Sequence, residues 1–216
     1  MDTIFLITIL VVIFALAFDF INGFHDTANA IATSVSTRAL KPRVAVLMAA
    51  IMNFVGALTF VGVAKAIASN IVDPMSLNAF EGDVTGSVVI LAALCSAITW
   101  NLLTWYYGIP SSSSHTLIGS LAGAAIGAAG FSILNYDGFL NILAALIISP
   151  ILALTVGFIV MSLFKIFFRN LGLYKTNSRF RLVQIITAAI QSFTHGTNDA
   201  QKAMGIITMA LIAAGL

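Results

Sequence analysis

NGFHDTANA (Asn22–Ala30) and HGTNDAQKA (His195–Ala203) decide how this chain is read. Each sets an Asp, with Asn, Gly and His around it, inside an otherwise apolar run. The first run extends from Thr3 to about Thr37, the second from Leu182 to Leu216. A charge at the centre of a bilayer costs roughly 3 kcal/mol on insertion scales. Asp19, Asp26, Asp199 and Lys202, left unpaired in lipid, would together cost on the order of 10 kcal/mol. If the runs are membrane spans, these side chains must face a protein interior or a wet cavity, paired or ion-bound.

Composition says that they are spans. Of 216 residues, 60% are hydrophobic and 8% charged, against roughly 25% charged in an average soluble domain. So few ionisable groups cannot coat a globule of this size. A soluble enzyme and a disordered chain are excluded. The net charge of +2 is too small for a nucleic-acid binder, which needs clustered Lys and Arg against phosphates. Cys95 is the single cysteine, so there is no disulfide framework, and no Cys/His spacing suggests zinc. Further apolar stretches run 44–68, 84–107, 116–134 and 139–168. Lipid forces such stretches into helices, because every backbone group must bond internally. The expected fold is an all-α polytopic membrane bundle. The opening MDTIFLITILVVIFALAF lacks a basic leader and reads as the first membrane helix rather than a cleaved signal.

The loops orient the bundle. Arg38, Lys41 and Arg43 share the connection 38–43, and Lys165, Arg169, Lys175, Arg179 and Arg181 cluster over 165–181. The 69–83 loop carries Asp73, Glu81 and Asp83 without Lys or Arg, and the 135–138 loop carries only Asp137. The positive-inside rule places both basic segments in the cytoplasm and the amino terminus outside. The first run then descends, 44–68 ascends, 139–168 descends and the last run ascends. Residues 84–134 enter and leave from outside. The GIPSSSSH break (Gly108–His115) is then either a re-entrant tip or an inner turn.

On a helix at 100° per residue, Asp19, Asn22, Asp26, Asn29 and Thr33 fall within about an 80° arc. This polar stripe reads either as a buried structural network, with Lys202 paired to an Asp, or as an ion and substrate site. Aligning Asp26 with Asp199 also matches Gly23 with Gly196, Ala30 with Ala203 and Phe20 with Phe193. The first copy descends and the second ascends. Two copies of opposite direction are what an inverted-repeat transporter requires, with its site at mid-membrane where helices break. Gly23 and Gly196 are the expected break points. The corresponding division is a first repeat over 1–168, a basic cytoplasmic loop over 169–181, and the start of a second, incomplete repeat over 182–216.

The serine run is the third element. Ser111, Ser112, Ser113, Ser114, His115 and Thr116 begin a helix. Free amides at a helix start attract anions, and hydroxyls add donors without charge. A tetrahedral oxyanion with several acceptor oxygens suits such a cradle. Capping explains one serine well and four poorly. His115 fits either a packed core histidine or a substrate contact. Gly119, Gly123 and Gly127 recur at four-residue spacing and read as close helix packing. Trp100 and Trp105 read as span or interface residues. An intramembrane hydrolase using Ser113 and His115 lacks any supporting signature.

Three motifs in order, GFHDTANAIATSVSTRAL (Gly23–Leu40), PSSSSHTLIG (Pro110–Gly119) and HGTNDAQKAMGI (His195–Ile206), resemble the PiT-type inorganic phosphate transporter family in its bacterial branch. The resemblance runs along the whole chain. It implies a cation-coupled phosphate carrier in the cell membrane, usually a homodimer, with inverted repeats and re-entrant hairpins. Coupling is to H+ or Na+, with no other cofactor. By motif, Asp26, Asn29 and Asp199 would serve the coupling cation, Asp26 and Asp199 holding Na+ if coupling is to sodium. The serine segment, with Asn22, His195, Asn198 and Lys202, would serve phosphate, taken free or as a metal complex. Sulfate is the competing substrate of the same shape, and a non-transporting subunit or channel the competing role.

The chain departs from the family pattern at His25-Asp26, where Asn-Asp is usual. It also sets Lys202 where the first copy has Asn29. An ammonium at that place can stand in for a bound cation. The second copy is followed by too few residues for a second serine hairpin, as expected of a fragment of a longer parent.

Overall fold

The computed structural model describes residues 3–62, 64, 67, 71, 85–170 and 172–215. They form an all-α membrane bundle. Its helices are α1 (Thr3–Ser36), α2 (Pro42–Ala57), α3 (Thr85–Tyr106), α4 (Ser113–Ala129), α5 (Tyr136–Phe168) and α6 (Leu173–Ala213). The helix starts follow local chemistry. Pro42 opens α2 behind an extended Lys41, where its missing N–H costs nothing. Ser112 caps α4 by accepting from the His115 amide, and Asn135 caps α5 by accepting from the Gly138 amide.

Helix α6 is the spine. It runs antiparallel to α1: Asn22 meets Asp199, while Ser34 and Thr37 bond to Gln184. It runs parallel to α2: Asn53 meets His195, and the Ala64 amide donates to Gln201 Oε1. The α3–α4 hairpin packs on the other side of α1. Phe18, Ile90, Leu94, Leu121, Ile206 and Met209 fill the main core, with Ala15, Ala93, Ala97 and Ala125 between them. Lipid tails are as apolar as these side chains, so the association comes from close van der Waals packing, which small residues permit.

Three helices, Thr3–Ser36, Gly86–Tyr106 and Tyr136–Phe168, are long and apolar enough to cross a membrane. Helix α6 falls short on that test because it carries the polar residues of the interior. The α3–α4 turn stops at Asp26, whose carboxylate accepts from Ser113. Ten further residues of α1, about 15 Å, continue past that level. The tip is thus re-entrant relative to α1. Helix α5 stands apart, with no fully buried residue. Phe139, Ile142 and Leu146 lean on the core, and Phe164 and Phe168 meet Phe180 of α6.

Several sequence expectations are corrected. Neither α1 nor α6 breaks: both run as continuous α-helix through Gly23 and Gly196. Gly196 serves contact instead, since a Cβ there would collide with the Asn53 backbone of α2. Gly56 and Gly205 make the same kind of approach, to α6 and to Ala64. By contrast, Gly119, Gly123 and Gly127 face open space, because α4 packs through Leu117, Leu121 and Ala125. The basic stretch 169–181 is helical from Leu173 onward. The acidic loop over 69–83 lies almost wholly outside the described residues.

Candidate functional site in the membrane interior

Asn22 and Asp26 lie about one turn apart on α1, and His195, Asp199 and Lys202 lie within two turns on α6. Antiparallel packing sets the two groups face to face. Ser113, the first residue of α4, enters from the hairpin.

One chain of contacts joins them. Lys202 Nζ donates to Asp199 Oδ1 at 2.8 Å and to Ser113 Oγ at 2.7 Å. Ser113 Oγ donates to Asp26 Oδ2 at 3.2 Å. Asn22 Nδ2 donates to Asp199 Oδ2 at 2.9 Å. His195 Nε2 lies 3.0 Å from the same oxygen, and Nδ1 lies 2.7 Å from Asn53 Oδ1. Lys202 is only 4% exposed, so its charge depends on these partners. A buried ammonium without them is strongly destabilising.

The histidine carries a chemical constraint. Asn53 Nδ2 donates to the Ala49 carbonyl at 2.8 Å, which turns the amide oxygen toward His195. Nδ1 can therefore donate to that oxygen, whereas Nε2 lies beside Asp199 Oδ2 without completing a hydrogen bond among the described residues. The imidazolium, a donor at both nitrogens, would add a charge contact to Asp199 at Nε2. In that state two carboxylates, Asp26 and Asp199, are balanced by two cations, Lys202 and His195.

The set also has features of a small-cation site. Ligand atoms of Asp26, His195 and Asp199 lie within 4.8 Å of one another. Asn22 Oδ1 is buried without a partner, an oxygen free to coordinate. His25 Nδ1 sits 3.4 Å from Asp26 Oδ1.

Two cavities flank the cluster. One of about 390 Å³ lies between α1, α2 and α6, lined by Asp19, Asn22, Thr27, Asn53, His195 and Asp199 among others. The other, about 660 Å³, lies along the start of α4 and is lined by Ser111, Ser112, His115, Thr116, Ser96 and Ser120 with Trp100. The serine run is therefore divided. Ser113 points to the carboxylates, while Ser112 bonds the exposed His115 (Oγ to Nδ1, 2.8 Å) in the second cavity. Ser114 is half-buried. His115 is thus not a core histidine.

The structure does not bring in every expected residue. Asn29 is exposed. Asn198 is exposed too, and its Nδ2 donates to the Thr194 carbonyl of its own helix at 3.0 Å. Asp19 lines the first cavity without joining the contact chain. Two residues were missed. Asn53 is the only Asn or Gln in the stretch 44–68, a signal of the same kind that marked Asp26. Gln201, 1% exposed, links α6 to Ala64 from inside the quoted motif.

Fold and site together define a polytopic α-helical membrane protein with a charged, ion-paired centre. The phosphate transporter family model matches residues 22–215. The chain belongs to the phosphate transporter family. It is 68% identical over its whole length to a probable low-affinity inorganic phosphate transporter of Bacillus subtilis (strain 168), and spans 63% of that protein's length. It is 40% identical over 191 residues to a protein of the same description from Streptomyces halstedii, covering 88% of this chain and 86% of that one. A solved structure described as "The sodium-dependent phosphate transporter" shares the fold, with a TM-score of 0.76 and 23% identity over 97% of this chain and 68% of that one.

Proposed function

We propose that the protein carries inorganic phosphate across the cell membrane by secondary transport, as the working centre of a carrier driven by a cation gradient. The observation that carries this reading is the contact chain Asp26–Ser113–Lys202–Asp199–His195. It couples a charge-balanced pair of carboxylates to a hydroxyl at the mouth of an anion-favouring helix start. The 660 Å³ cavity beside Ser112 and His115 offers hydroxyl donors to a tetrahedral oxyanion. Ser113 stands between that cavity's helix and the carboxylates, so a change of charge on one side reorganises donors on the other.

The geometry favours a proton as the coupling ion. With His195 protonated, the cluster is neutral. With His195 deprotonated, one negative charge is left and Nε2 loses its proton beside Asp199. Neither coupling ion nor oxyanion is cheap alone at that depth. Sodium is the second reading, supported by the free Asn22 Oδ1 beside Asp26 and Asp199. In that case Asn22, Asp26 and Asp199 would hold it, and it would supply the positive charge that attracts phosphate. Proton exchange between phosphate and a carboxylate would select phosphate over sulfate.

The same reading makes α1 and α6 members of two inverted repeats, in a homodimer of the bacterial inner membrane with the amino terminus outside. Labelled phosphate uptake into proteoliposomes under separately imposed gradients tests it. A proton gradient should drive saturable accumulation, a sodium gradient alone should not, and excess sulfate should compete weakly. Uptake that neither gradient accelerates would reject the carrier. Uptake that only sodium drives would move the coupling from His195 to the Asn22–Asp26 oxygens.

A further inference from the structure

The elbow between α5 and α6 holds a feature that the transport centre does not use. Phe164 and Phe168 of α5 and Phe180 of α6 form an edge-on aromatic trio, with ring centroids 5.2 to 6.1 Å apart. A cavity lies on either side of it. One of about 690 Å³ is lined by Phe164, Phe168, Phe180 and Val183 and rimmed by Lys165 and Arg169. The other, about 330 Å³, shares the same aromatic wall and is rimmed by Arg179 and Thr176. All three cations are exposed. None forms an ion pair among the described residues. No Asp or Glu occurs in the sequence between Asp137 and Asp199, so nothing local neutralises them.

The depth is informative. The apolar part of α5 begins near Phe139, and about 20 residues cross a hydrocarbon core of about 30 Å. That core is spent near Phe158. Lys165 then lies about 10 Å further along the axis, at headgroup level, with Phe164 beside it and Phe168 one turn beyond. An apolar aromatic wall and an unpaired basic rim at the same height on the membrane surface match one kind of molecule, an amphiphile with an anionic head. We propose that the α5–α6 elbow binds an anionic phospholipid, with an acyl chain against the Phe164–Phe168–Phe180 wall and the phosphodiester between Lys165 and Arg169, Arg179 adding attraction from the far side. Basic pockets between helices at the membrane surface take such headgroups.

The purified protein in neutral detergent, titrated with dioctanoyl-phosphatidylglycerol or dioctanoyl-phosphatidylcholine and followed by thermal unfolding, tests the site. The anionic lipid should raise the melting temperature saturably and the zwitterionic lipid should not. Combining Lys165→Gln, Arg169→Gln and Arg179→Gln should weaken the phosphatidylglycerol response on the order of 100-fold. Those positions are exposed, so the unliganded melting temperature should stay close to the parent's. Phe168→Ser should weaken the response with the cations intact. Equal responses to the two lipids, or an unchanged response in the triple variant, would overturn the proposal. Displacement of the lipid by millimolar inorganic phosphate would also overturn it, marking the rim as a simple anion site.

Discussion

At the scale of single residues, Lys202 is the most consequential side chain. Its ammonium is nearly buried and spans Asp199 and Ser113; on the proposed reading it stands in for a mobile cation. Lys202→Asn should cost about 3 kcal/mol in sodium-free medium, because Asp199 loses a buried partner. Added sodium should restore the loss progressively, as expected when an ion binds only the folded form. On the proton-coupled reading, phosphate uptake by the variant should gain a sodium dependence. Thermal unfolding and uptake against sodium concentration measure both, and a variant indifferent to sodium in both assays would show that Lys202 fills no cation position. The sequence revealed Lys202, Asp26 and Asp199 because charges in apolar runs need partners. It did not reveal which serine they would choose. Only the α4 cap geometry turns Ser113 inward and leaves Ser112 beside His115. The pseudosymmetric Asn29 is likewise exposed, on a part of the stripe that no described helix covers.

At the scale of helices, the glycines separate what was legible from what was not. Apolar runs marked the helices of the bundle, since length and hydropathy decide those. Close approach between helices depends on which faces meet, and a single sequence does not carry that. Gly196 looked like a break and is a contact, while the Gly119–Gly127 series looked like a contact and faces open space. The two kinds make opposite predictions. Gly196→Ala should push α2 from α6, strain the His195–Asn53 bond and cost roughly 1–3 kcal/mol or more, as overpacking does. Gly23→Ala meets nothing within 4 Å on a continuous helix and should be stabilising by about 0.5–1 kcal/mol. Melting temperatures of the two variants in one detergent check this. A Gly196→Ala protein as stable as its parent would deny the α2–α6 contact.

At the scale of the whole molecule, loop charges and helix directions agree independently. Counting from the basic segments makes α1 descend and α2 and α6 ascend, and the packing shows α1 antiparallel and α2 parallel to α6. Packing fixes only these relative directions and is the same in an inverted bundle, so the absolute orientation rests on the loop charges. On the orientation proposed from those charges, Ser36 and Ser178 would face the cytoplasm and Asp137 the outside. With the exposed Cys95 first changed to Ala, single cysteines at these positions can be probed on intact cells with a membrane-impermeant maleimide. Asp137→Cys should label on intact cells, and Ser36→Cys and Ser178→Cys only after permeabilisation. The reverse pattern would invert the bundle and bring the α5–α6 elbow to the outer leaflet. Labelling of Ser36→Cys and Asp137→Cys from the same side would be the more serious result. On this count the chain makes one net ascent between those positions: α2 rises from the basic loop, α3 and α4 return on themselves, and α5 starts outside. Since the α2–α6 pairing that positions Asn53 against His195 fixes the direction of α2 relative to α6, a shared side would mean that the α3–α4 hairpin does not return to the side it enters from.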